Sequence, residues 1–378
     1  MRNSLAVTVV LEATLTARAE TALDRLRRRP LRRGDDRRRA HEAPGTRVDR
    51  TDLVRAVSAR SAARTALGWA LLLGLCMAVA VRPAAAGEGG SSHYNPGTMG
   101  DFAMALIGLP GFYLRNDTFY FDGSIGEVSL GKAVLDHADQ QAWVNITKGI
   151  YLAPWGILGS RFGAVVSLPV AIDAKLSGEL AFPNVQREGS RGGFGDMSFT
   201  SFLNWSKGQF HTSVGLNVYA PTGYYDSDSI INLGRNYWTF DPTLTFTWLH
   251  PKRGHEISFI AGTMFNTENH ATDYTTGDEF HLGFMVAQHF SPQFAAGLTG
   301  YYYQQFTDDR GPLVDQLNAL GRAGNGFRGD GVGLGPALLY TPKIFGKDVN
   351  LITKWLHDVD TTNRFEGNRF FLSVAFGF

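Results

Sequence analysis

The sequence predicts an all-β protein, a transmembrane antiparallel β-barrel of about twelve strands. Three observations predict it. After residue 86 no apolar run reaches the length of a membrane helix, while short alternating or aromatic-rich runs recur between Gly, Pro, Asn and Asp. The connections between those runs alternate between long and short. The chain ends on a strand, Arg369 to Phe378, whose Phe370, Leu372, Val374, Phe376 and Phe378 alternate with positions that include Ser373, Ala375 and Gly377. A period of two places the large apolar set on one face and the small set on the other. Large apolar residues opposite small ones, ending on an aromatic carboxylate, suit a strand with lipid on one side and a crowded lumen on the other.

The twelve runs are 112–121, 141–152, 161–173, 194–205, 210–219, 237–250, 255–267, 279–290, 294–307, 331–341, 348–358 and 368–378. Most are near the ~9–11 residues that cross a bilayer at a tilt. The connections after odd runs are long: 122–140, 174–193, 220–236, 268–278, 308–330 and 359–367. Those after even runs are shorter: 153–160, 206–209, 251–254, 291–293 and 342–347. Short turns on a periplasmic rim and long loops outside are how outer-membrane barrels are built. Closure follows because an open sheet edge in lipid would leave backbone groups unpaired. The first and last runs must therefore pair. Aromatics near run ends (Tyr151, Trp155, Trp205, Tyr219, Tyr237, Trp238, Tyr340, Trp355) suit interfacial girdles.

The net charge of +1 hides two unlike parts. Residues 1–65 hold sixteen Arg and no Lys. Before residue 87 there are 17 basic and 8 acidic residues, which leaves 36 − 17 = 19 basic and 35 − 8 = 27 acidic afterwards, a net of −8. A targeting segment explains the basic head better than a nucleic-acid arm, so no nucleic-acid partner is expected. The stretch 66–81 is sixteen residues without a charge, short for a spanning helix that needs roughly 20. It is preceded by Arg60 and Arg64 and followed by Ala84-Ala85-Ala86, an A-x-A site with Ala84 and Ala86 as its small positions. Cys76, the only cysteine, lies inside this segment, so the mature chain has none. The expected organisation is a disordered Arg-rich extension (1–56), a signal peptide (57–86), a periplasmic or lumen-plug segment (87–111) and a barrel (112–378). The extension is read as a start-site misassignment, with translation beginning near Val54 or Val57; a genuine basic arm is the alternative.

The start of the mature chain reads Ser92-His93-Tyr94-x-Pro96-Gly97-Thr98-x-Gly100-Asp101-Phe102, then Pro110-Gly111-x-Tyr113-Leu114-Arg115-Asn116-Asp117. Further on come Gly193-Phe194-Gly195-Asp196, Ala220-Pro221-Thr222-Gly223-x-Tyr225-Asp226 and Asp273-Tyr274-Thr275-x-Gly277-Asp278-Glu279-Phe280-His281. In this order the motifs resemble the meta-pathway phenol-degradation outer-membrane transporter family. The resemblance implies an outer-membrane protein associated with catabolism of aromatic or other hydrophobic compounds. It does not extend to the Arg-rich head.

No cofactor or metal site is expected. The ten histidines show no metal spacing. His211-x-Ser213 puts a base and a nucleophile on one strand face, but that face is the lumen and no third partner is evident. Gly324 to Gly329 has dinucleotide-loop spacing without the βαβ unit such a loop needs. The chain is therefore expected to be no enzyme but a channel for passive uptake of small hydrophobic or aromatic solutes. Asn145, Thr147, Ser213, Asn217, Thr243, Thr245, Asn350 and Lys354 are the candidate lumen-lining residues. The expected partners are outer-membrane lipid and lipopolysaccharide, the barrel-assembly machinery through Phe370, Leu372, Val374, Phe376 and Phe378, and the solute. A structural or adhesive barrel with a closed lumen is the alternative, since twelve strands enclose little space.

Overall fold

The computed structural model describes residues 87–130, 133–180, 185–319 and 327–378. Residues 1–86, where the Arg-rich extension and a signal peptide with Ala84 and Ala86 are expected, and residues 324–326 of the glycine loop lie outside them.

The described chain is one antiparallel sheet closed on itself. Its strands are β1 (Gly111–Leu130), β2 (Ala133–Leu152), β3 (Arg161–Leu180), β4 (Val185–Phe194), β5 (Ser198–Lys207), β6 (Phe210–Tyr219), β7 (Thr239–Leu249), β8 (His255–Asn266), β9 (Glu279–His289), β10 (Phe294–Gln305), β11 (Asp330–Tyr340), β12 (Lys343–Ile344), β13 (Lys347–Thr362) and β14 (Glu366–Gly377). β4 and β5 pair with the upper and lower parts of β3 and share one stave. β12 is a two-residue pairing at the foot of β13. Twelve staves remain. The seam is the expected one: β1 pairs with β14 from Tyr113↔Gly377 to Ser124↔Glu366, and the Phe378 N–H donates to the Phe112 carbonyl at 3.0 Å.

The outward face of β14 carries Phe370, Leu372, Val374 and Phe376, while Arg369, Phe371 and Ser373 turn inward and are buried. The same inversion runs round the wall, with Phe112, Val166, Val214, Leu244, Val286, Leu298 and Leu338 all exposed outward. A soluble sheet would bury such residues; a lipid-facing wall displays them. Trp238, Tyr340 and Trp355 also point outward, but Tyr219 and Tyr237, expected in the girdle, are inside.

Two expected loops are instead ladder. β1 and β2 pair up to Leu130↔Ala133, so most of 122–140 is a tall hairpin, and β3 with β4 does the same over 174–193. Backbone pairing continues past the bilayer, and the extended strands bury Ile125, Ala138, Ala174 and Leu176 on their inner face. Among the described residues of the expected loop 308–330 lies a helix, α1 (Pro312–Ala319), held by Val314 and Leu317 against Tyr274 and Phe327.

Candidate functional site: the lumen

Residues 87–110 are not wall. They run through the lumen from the long-loop rim, where the Gly87 N–H reaches Gln305, to the short-turn rim, where Arg161 Nη1 donates to the Gly108 carbonyl at 2.7 Å. The segment is short of regular structure, so its backbone groups take their partners from inward-facing side chains. The Ala103 N–H donates to Glu256 Oε1 at 2.5 Å and the Ala105 N–H to Thr247 Oγ1 at 2.9 Å. Asn204 Nδ2 donates to the Ala105 carbonyl at 2.7 Å.

Two anchors hold it. The upper is aromatic: Tyr94 stacks on His281 (4.5 Å between centroids) and on Tyr303 (5.8 Å). Arg364 lies 3.9 Å over the Tyr303 ring and donates to the Tyr94 carbonyl at 3.2 Å. Beside it His93 Nε2 pairs with Asp196 Oδ2 at 2.9 Å, and Nδ1 with Thr239 Oγ1 at 2.7 Å. Asp196 occupies the break between β4 and β5 and also accepts from the N–H groups of Gly223 (2.8 Å) and Arg235 (2.6 Å). The break thus turns a carboxylate inward to fix both a loop and the segment.

The lower anchor is ionic. Lys354 Nζ on β13 donates to the carbonyls of Gly97 (2.6 Å) and Gly100 (2.9 Å) and to Asp101 Oδ1 (2.6 Å). Arg115 on β1 pairs with Asp101 and, at 2.7 Å, with Asp117, which Lys148 on β2 also meets at 2.8 Å. Gly97 has φ +86°, and a β-carbon there would collide with Leu356 and Phe371. The Pro-Gly turn that presents these carbonyls to Lys354 therefore needs glycine. Phe102 completes the foot, in an apolar cluster with Met285, Ala287, Ala295, Ala337 and Ile352.

These contacts press the segment against β7–β10 and β13 and leave a cavity of about 740 Å³ along β1–β6. Its wall is apolar at Phe119, Ala142, Val144, Ile146, Ala171, Leu233 and Phe365, and polar at Arg115, Lys148 and Asn217. That is within the ~300–1,000 Å³ typical of small-molecule sites, with a mostly apolar lining and a few polar groups.

The predicted lining residues divide. Asn217, Thr245 and Asn350 line the cavity. Lys354 is the lower anchor, Ser213 accepts from Asn204 at 2.8 Å, and Thr243 lies buried on the inner face of β7. Asn145 and Thr147 face the other way: the cavity is lined by Ala142, Val144, Ile146 and Lys148, and their odd-numbered neighbours point to lipid. There Asn116 Nδ2 donates to Asn145 Oδ1 and Thr147 Oγ1, each at 3.0 Å, and Asn145 Nδ2 donates to Asn116 Oδ1 and Thr118 Oγ1, each at 2.8 Å. The four side chains satisfy one another, which is what lets amides stand in an apolar wall. His211 Nδ1 pairs with Ser206 at 2.8 Å and not with Ser213.

The family described as "Putative MetA-pathway of phenol degradation" matches residues 124–374, more than half of the chain. The chain belongs to this family. Among solved structures it is similar to an outer membrane channel from Pseudomonas putida F1, at TM-score 0.57 and 13% identity over 76% of this chain and 100% of that one. That likeness shows the fold, a barrel of the outer-membrane channel type. A FadL homologue from Pseudomonas aeruginosa matches at TM-score 0.36 and 11% identity, over 79% of this chain and 99% of that one, and carries no weight for function. No curated protein matches. The motifs behind the resemblance converge in space: 92–102 is the lumen segment, Asp196 and Gly223 meet beside His93, and His281 stacks on Tyr94.

Proposed function

We propose that this protein is an outer-membrane channel for passive uptake of small hydrophobic or aromatic solutes, serving their catabolism. The observation that carries this reading is the mostly apolar cavity beside the lumen segment. A solute entering at the loop rim would exchange water for Phe365, Leu233, Ala171, Val144 and Phe119, and reach Arg115 and Lys148 near the short-turn rim. A mostly apolar wall lowers the free energy of a benzene-sized solute without holding it by many hydrogen bonds. Weak, multi-site binding is what conduction requires. Family membership points to the same solute class.

The reading includes export by a signal peptide cleaved after Ala86, insertion through the barrel-assembly machinery, and residence among lipid and lipopolysaccharide. The outward aromatic face of β14, ending at Phe378, is the recognition end for assembly.

Single-channel recording in planar bilayers tests it. Small aromatic solutes should add brief, concentration-dependent interruptions to the ion current, and sugars of similar size should not. A barrel that inserts but passes neither ions nor aromatic solutes would be the closed structural protein instead.

A further inference from the structure

We infer that the mature amino terminus is itself an internal ligand: the α-ammonium of Gly87, freed by cleavage after Ala86, docks in an acidic site at the loop end of the lumen. The inference rests on the cleavage proposed above. It goes beyond it in saying where the new charge goes.

The Gly87 nitrogen lies 3.3 Å from Gln305 Oε1, and Gln305 Nε2 donates onward to Asp309 Oδ1 at 2.7 Å. Glu279 stands directly across from Gln305 in the β9–β10 register, so their side chains share one face. Its Oε2 is fully buried with no hydrogen-bond partner. Glu88 is buried next in sequence, accepting from Asn269 (2.8 Å), Thr272 (3.1 Å) and Tyr225 (3.2 Å). Among the described residues no cation lies within 4.0 Å of Glu88, Glu279 or Asp309; Arg235 faces the first and Arg364 the second from farther away.

Three buried carboxylates, one with an idle oxygen, are costly unless a cation joins them. An amide nitrogen at Gly87 offers one N–H and no charge; an ammonium there offers three and a full charge. The packing also selects the residue. A β-carbon on Gly87 would collide with the Thr276 methyl, so the site accepts glycine as the first mature residue. Because Gly87 sits at the rim opposite the start of β1, processing has to precede closure of the barrel around the segment.

The test uses protein purified from outer membranes in mild detergent. Intact mass gives the terminus, and an amine-acetylating ester at pH 8 followed by peptide mapping gives the reactivity of that amine. Gly87 is expected as the first residue, acetylated at least about tenfold more slowly in the folded barrel than after heat unfolding, since reaction needs local opening. E279Q and D309N should each raise the folded-state rate while the barrel still migrates as folded on unheated gels. A terminus other than Gly87 overturns both the processing site and the inference. A Gly87 amine that reacts as fast folded as unfolded overturns the ammonium site alone.

Discussion

Lys354 Nζ lies 2.6 Å from Asp101 Oδ1, an ion pair between the barrel wall and the segment that occupies its lumen. Lys354 also holds the Gly97 and Gly100 carbonyls, so its loss would release the whole turn. Lys354→Met should destabilise the barrel by about 1–3 kcal/mol, the cost of leaving buried acceptors without their donor while Asp101 keeps Arg115. The segment should then withdraw from the wall and single-channel conductance should rise. Unchanged conductance in a folded K354M barrel would show that the segment does not limit the pore.

The outward ladder of Asn116, Thr118, Asn145 and Thr147 makes a second prediction. Asn145→Val leaves Asn116 Nδ2 with Thr147 alone and Asn116 Oδ1 with only the 3.4 Å contact from Thr118 at the lipid face, and should cost about 1–3 kcal/mol, the penalty for a poorly satisfied polar group. N116V/N145V removes both partners and should recover most of that loss. Denaturant titration of the two variants decides it. Additive losses would place these amides in the lumen, where water could replace each partner separately.

At the loop rim, burial pushes the Asp309 carboxyl up to about 7 when Gly87 is an amide, despite donors from Tyr274, Gly277 and Gln305. A raised folded-state value favours the protonated form. The stabilisation is complete below pH ~4, where the unfolded carboxyl titrates, and is lost as pH rises through about 7. Mature protein acetylated at Gly87 before refolding should lose thermal stability across that window, D309N should flatten the loss, and a free amine should shrink it. Equal pH profiles for the acetylated protein and its D309N variant would remove Asp309 from the account.

Phe378 closes the seam through its N–H to Phe112 and extends the outward aromatic row beyond Phe376. Deleting it should lower the amount of folded barrel in outer membranes while leaving refolding of purified chain in detergent intact. Normal membrane levels of the deletion would contradict a recognition role.

The barrel was legible because lipid inverts the usual rule: Phe370, Leu372 and Val374 alternate with small or buried partners over a length no soluble sheet needs. The tall hairpins were not legible, because Asp122-Gly123-Ser124 and Asp136 to Asp139 read as turn residues, although the ladder persists and its inner face still buries Ile125, Ala138, Ala174 and Leu176. The lining was legible on β6 and β7, where Asn217 and Thr245 are polar and inward. It inverted on β2 because polarity was equated with the lumen. There the inner face, Ala142, Val144 and Ile146, lines an apolar cavity, and the polar outer residues are satisfied by a neighbouring strand. The lower anchor was missed although its signal was present: Arg115 and Asp117 share the inner face of β1, where two unlike charges call for partners inside.

The passage itself is tested most directly by uptake of a radiolabelled small aromatic solute into proteoliposomes, comparing wild type with Ala142→Trp. Ala142 borders the cavity, and an indole there would fill the gap between β2 and the lumen segment. Wild-type protein should take up the solute faster than liposomes without protein, and the folded A142W barrel should fall to that background. Wild-type uptake no faster than empty liposomes, or uptake unaffected by the tryptophan, would contradict the channel.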